Sequence, residues 1–187
     1  MSLPERRQAP RLLRAAVAIG LSALLAGCFQ PLYGERSLTG GPGVREALAR
    51  VDVAQIDAVP GTQLARSAVE LRNELLFGLT GGSGSLPPTH SLKINLQSTV
   101  SSIIVDPSTA RPEYEIVGLT AFYTLTEKST NKAVFNSVAR ATVSYNIPGQ
   151  QQRLSTLIGR QESLARATKV LADQIKTRVA SFMSAGT

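Results

Sequence analysis

The sequence predicts an α+β domain: a four-stranded mixed sheet covered on one face by two helices, in the order β-α-β-β-β-α. Three observations carry this expectation. Apolar residues alternate with polar ones in several segments between Val51 and Tyr145. They recur at helical spacing in two other segments, Thr62 to Leu79 and Ser155 to Met183. Polar stretches containing proline, glycine or asparagine separate these segments where turns are needed.

Ahead of the domain stands an address. Arg6, Arg7, Arg11 and Arg14 lead into an uncharged run from Ala15 to Leu25, which meets Ala26, Gly27 and Cys28, the chain's only cysteine. A basic start, a short apolar run and small residues before a cut site form the layout of a secretion signal. The run is well below the roughly 20 residues that span a bilayer as a helix, so a cleaved signal fits better than a permanent anchor. No strongly apolar residue follows Arg6-Arg7 closely, which favours the general secretory route over the twin-arginine one. Leu25-Ala26-Gly27-Cys28 resembles the bacterial lipobox. That resemblance implies cleavage between Gly27 and Cys28 and acylation of Cys28. Several acyl chains on one residue hold firmly to a bilayer, whereas a single chain holds only marginally. The expected division is a signal peptide over 1–27, a lipidated N-terminus and tether over 28–49, and a single periplasmic domain over 50–187.

Composition narrows the function classes. The chain carries 20 basic and 13 acidic side chains, a net charge of +7. Four of those arginines, against Glu5, belong to the signal, so the mature protein keeps a mild +4. Such a balance favours anionic partners, including phosphorylated lipids, without selecting one. No nucleic-acid partner is expected, on two grounds: export, and aromatics that are few and not interleaved with arginines as a single-strand binder requires. With its one cysteine at the processing site, the domain has nothing for a disulfide or a thiolate metal site.

Taken in order, Val51-Asp52-Val53 opens an alternating segment that is expected to reach Val59 and stop at Pro60-Gly61. Leu64, Ala68, Leu71 and Leu75 then share a helical face, with Thr62 as the cap. Gly78 to Pro88 reads as a linker. It is no phosphate loop, because it follows a helix and ends in Pro87-Pro88 rather than opening a helix after a strand. Leu92, Ile94 and Leu96 define the next strand, which continues towards Val105 through a bulge. Asp106 to Thr109 turns the chain. Val117, Leu119, Ala121, Tyr123 and Leu125 line one face of a long strand. After the polar turn Glu127 to Lys132, Phe135, Ala139, Ala141, Val143 and Tyr145 line one face of its hairpin partner. Beyond Pro148-Gly149 a final helix follows, with Leu157, Leu164, Leu171, Ile175 and Phe182 along one side. Its cations Arg160, Arg166, Lys169, Lys176 and Arg178 scatter in angle among Glu162 and Asp173, as on a solvated face.

The residues suggest no enzyme. A metal or histidine-based site needs a cluster, and the single histidine, His90, stands at a strand edge where surface roles suffice. No Gly-x-Ser-x-Gly elbow is present. Glu113 and Glu115 share a strand face and form a conceivable carboxylate pair, though edge-strand solubility accounts for them equally. No cofactor is expected.

Cys28-Phe29-Gln30-Pro31-Leu32-Tyr33-Gly34 resembles the mature start of lipopolysaccharide-assembly lipoproteins of the LptE type, especially the alphaproteobacterial ones. Many of those have a further glycine after the cysteine that is missing here. The likeness continues in Thr109-Ala110-Arg111-Pro112-Glu113-Tyr114, in Tyr145-Asn146-Ile147-Pro148-Gly149 and in the alanine-rich helix Leu164 to Phe182. It implies a non-catalytic outer-membrane lipoprotein facing the periplasm, which plugs an LptD-type β-barrel and binds lipopolysaccharide on its way to the outer leaflet. The absence of aspartate after Cys28 agrees with outer-membrane sorting in that family. Loop cations suited to lipid A phosphates are Arg111, Lys128, Lys132 and Arg153. Each also reads as an ordinary solvated cation. Two other classes remain: an auxiliary lipid-binding lipoprotein of another envelope transport system, and a tethered periplasmic hydrolase.

Overall fold

A computed structural model of the chain describes residues 43–82, 84, 86–106, 111–147 and 153–185, with backbone alone at 104–106, 111–113 and 153. The lipobox Leu25 to Cys28, the turn residues 107–110 and Pro148-Gly149 lie outside the described residues. The elements are α1 (Val44–Ala49), β1 (Val51–Val53), α2 (Gln63–Thr80), β2 (His90–Asp106), β3 (Arg111–Glu127), β4 (Lys132–Asn146) and α3 (Arg153–Ala185). The sheet order is β1-β2-β3-β4, parallel between β1 and β2 and antiparallel elsewhere. Helices α2 and α3 pack on one face, as the alternation requires.

Periodicity explains the core. Leu92, Ile94 and Leu96 of β2 stand opposite Leu125, Tyr123 and Ala121 of β3, and all six are buried. Leu71 and Leu75 of α2, with Leu171 and Ile175 of α3, close over them without solvent access. The bulge expected in β2 falls between Ile103 and Asp106. The hairpin pairs Glu127 with Lys132, and Asn131 takes the left-handed backbone conformation (φ 53°) that asparagine tolerates in such a turn. Thr62 caps α2 as its position predicts, its Oγ1 accepting from the Ala65 amide at 3.2 Å.

Four expectations need correction. β1 stops at Val53 instead of reaching Val59, because Gln55 and Asp57 occupy the positions that continued pairing would turn inward; both are exposed, and Ile56 enters the core instead. Residues 44–49, expected in the tether, form α1 and bury Ala47, Leu48 and Ala49 against the domain. Two turns are too short for a helical period to stand out. Gly78 belongs to α2, not to a linker, and a Cβ there would lie 3.2 Å from Lys176 Cδ, so the glycine lets α2 and α3 approach. Leu157 is 57 % exposed, whereas Leu164, Leu171 and Ile175 are buried: the first turns of α3 carry their apolar side outward.

Candidate functional site

The long strands give the domain two ends, and they are chemically different. One end holds the β3–β4 turn with Lys128 and Lys132. The other holds the start of β3 at Arg111, the end of β4 at Asn146 and the first turns of α3. β3 alone has 17 residues, about 55 Å of extended chain. The four candidate cations therefore split into two pairs and do not converge on one site. Lys128 is already engaged, its Nζ donating to Asp52 Oδ2 at 3.0 Å. Lys132 is exposed beside it in the turn. Arg111 pairs along the backbone with Asp106, and Arg153 begins α3 seven residues before Arg160, so both belong to the opposite end.

At the Arg111 end the inward face of the sheet carries an ionic group. Glu115 falls on the same strand face as Val117 to Leu125 and is buried, in a central strand and not an edge one. The solubility reading of Glu115 is thus wrong. Arg160 of α3 grips its carboxylate with both arms of the fork, Nη2 to Oε1 at 2.7 Å and Nε to Oε2 at 2.8 Å. The Tyr145 hydroxyl, directly across the β3–β4 pair, donates to the same Oε2. Burial first, and then the Glu115 carboxylate, push the Tyr145 hydroxyl above its ordinary pKa. The bond to Glu115 chiefly raises the Arg160 guanidinium as well. A charge on a half-apolar sheet face needs a partner from the covering helix, and Arg160 supplies it. An acid at an inward strand position was the readable signal; which of the six cations of α3 answers it was not.

The same end exposes apolar side chains on both faces of the sheet. Leu154, Leu157 and Ile158 of α3 and Val100 of β2 project into solvent on the face that carries the clasp, whereas Ile103 and Tyr114 are exposed on the open face. The register places them together at one end: Ile103 lies opposite Tyr114, Tyr114 opposite Asn146, and Gly159 of α3 beside the Tyr145 ring. Exposed apolar groups collected at one end of a domain mark a contact surface. The open face of the sheet has a shallow depression of about 480 Å³ whose lining includes Asn95, Phe122, Asn136 and Val138, with Lys93 its one charged side chain. His90 stands at the Lys132 end, where its Nδ1 lies 2.9 Å from Thr89 Oγ1. Among the described residues no group of three metal-ligating side chains gathers, and no helix is long and apolar enough to cross a membrane.

With that geometry in view, the solved structures are informative. A protein of Caulobacter crescentus assigned as a lipoprotein superimposes with a TM-score of 0.59 at 17 % identity, over 77 % of this chain and 97 % of that one. A minor lipoprotein of Acinetobacter baumannii gives 0.51 at 14 % identity, over 72 % and 93 %. This fold is one that bacterial lipoproteins use. A rare lipoprotein B of Shewanella oneidensis is similar more loosely, at 0.49 and 12 % identity, over 71 % and 93 %. No protein-family model and no curated protein sequence matches the chain.

Proposed function

We propose that this protein is an outer-membrane lipoprotein, held by acylated Cys28, whose domain plugs an LptD-type β-barrel and assists lipopolysaccharide assembly without catalysing a reaction. The observation that carries the reading is the lipobox followed by a domain with the fold of bacterial lipoproteins. The Arg111 end supports the lipid part. Exposed apolar side chains next to the backbone positions of Arg111 and Arg153 suit a ligand with both acyl chains and phosphates. Lys128, occupied by Asp52, and Lys132 stand at the other end and drop behind the two arginines as lipid contacts.

Gentle detergent extraction of the tagged full-length protein tests the partner. An LptD-type barrel should co-purify in near-stoichiometric amount, and its absence would sink the plug reading. For the ligand, replacing Arg111 and Arg153 together with alanine should weaken binding of phosphorylated lipid A about tenfold or more while the urea midpoint stays close to that of the wild type. Binding that is unchanged removes those residues from the site.

A further inference from the structure

The two edges of the sheet are treated differently. Along β4, two backbone carbonyls are taken by side chains of α3: Arg178 Nη1 donates to Val138 O at 2.6 Å and Gln174 Nε2 to Arg140 O at 3.1 Å. That edge is blunted by side chains. The β2 edge is not. β1 pairs with His90 to Leu92 only, and the last bond on that side runs from the Ala54 amide to Leu92 O. Because Leu92 O points towards β1 and no register shift occurs before Ile103, the amides and carbonyls of Ile94, Leu96, Ser98, Val100 and Ser102 also point outward. Among the described residues no strand receives them. From Gln97 to Ile103 every side chain is exposed, and the run from Ile94 to Val105 contains no charge, proline or glycine. Among the described residues the devices that normally protect an edge are missing there.

We infer that the β2 edge from Ile94 to Ser102 receives an extended strand from the partner barrel, lengthening the sheet beside β1; this rests on the proposed barrel partner. A row of unpaired backbone groups is recognised by another extended backbone, which fixes the chemistry of the occupant. Its side chains are small or apolar and uncharged, since the edge offers no ion to pair with. A second copy of this chain suits the edge poorly. Two such edges are rich in Ser98, Thr99, Ser101 and Ser102, with Val100 the one apolar side chain from Gln97 to Ser102, and so bring little apolar surface to the contact of about 1,200 Å² that a stable interface needs. A strand belonging to a protein already held against the domain by other contacts has the local concentration to pair.

The test uses the full-length lipoprotein produced together with the LptD-type barrel of its host. p-Benzoylphenylalanine is placed at Ser98 or Ser102, and for comparison at Arg140 on the blunted edge. Photocrosslinks from the β2 positions should map to one short segment of the barrel protein, with none to that segment from Arg140. Ser98→Pro removes an outward amide without breaking the β2–β3 ladder; it should lower the crosslink yield at Ser102 about fivefold and leave the melting temperature of the isolated protein within about 2 °C. If the barrel co-purifies but the β2 positions do not crosslink to it, crosslink to a second copy or crosslink to this chain's own residues 29–42, the strand pairing is overturned and the plug reading stands. If the wild type brings down no barrel, both fail.

Discussion

Glu115 shows how much depends on a single inward position. Its carboxylate is 7 % exposed, while its Arg160 partner retains 35 % of its side-chain exposure, so the pair is weaker than a fully buried one. Breaking a buried pair from one side costs about 3–5 kcal/mol, and access of water to Arg160 reduces this. Glu115→Ala should therefore lower unfolding free energy by about 2 kcal/mol in urea titrations; a loss below about 0.5 kcal/mol would mean that the clasp contributes no net stability. Tyr145 adds a pH dependence. Its folded pKa lies above the unfolded value of about 10, so the folded state holds that proton more tightly. The associated stability is present in full below about pH 10 and is lost as the pH rises through the folded pKa. Tyr145→Phe should consequently show a shallower alkaline decline of stability than the wild type above about pH 10, and parallel curves would refute the linkage.

At the scale of elements, α3 decides how the Arg111 end is assembled. Gly159 sits where a Cβ would lie 3.1 Å from Tyr145 Cδ2. On an exposed helix Gly→Ala is worth about 1 kcal/mol in favour of alanine. Here the ring that must yield is held by both Glu115 and Arg160, so the usual gain should reverse. Gly159→Ala is expected to lower the melting temperature by a few degrees, about 1 kcal/mol net, and a rise would show that the helix can lift from the sheet at no cost. The same helix blunts the β4 edge further along through Gln174 and Arg178. One 33-residue element thus covers the core, pairs the buried acid and closes an edge. The charge scatter along α3 conceals different partners for three of its cations: Arg160 meets a carboxylate, Arg166 the Ser163 hydroxyl at 3.0 Å and Arg178 a backbone carbonyl.

For the molecule as a whole, the proposed anchor at Cys28 is expected to be separable from the domain. Among the described residues the core runs from Ala47 of α1 to Met183 of α3, a body that packs on itself. Cys28→Ala should release the protein from the membrane fraction while the soluble form keeps the wild-type melting temperature. Retention in the membrane, or mass spectrometry showing an unmodified Cys28 in the wild type, would overturn the tether. Alternation in the three long strands and the Leu64 to Leu75 face of α2 were legible because side-chain direction in regular structure depends only on spacing along the chain. β1, α1 and the outward turn of Leu157 were less so. A three-residue strand and a two-turn helix hold too few residues to display a period, and whether a helix end overhangs its sheet depends on where the strands stop. By itself the sequence determined the α+β class, the order of long elements and the hairpin, all of which follow from local patterns. Only the tertiary structure decided that the four candidate cations lie at opposite ends, that Glu115 meets Arg160 and Tyr145, and that among the described residues no strand pairs with β2 beyond Leu92 on the β1 side. The physical reason is that strand register and helix placement bring together residues 15 to 45 positions apart, and the free energy that selects those pairings belongs to packing, not to any single segment.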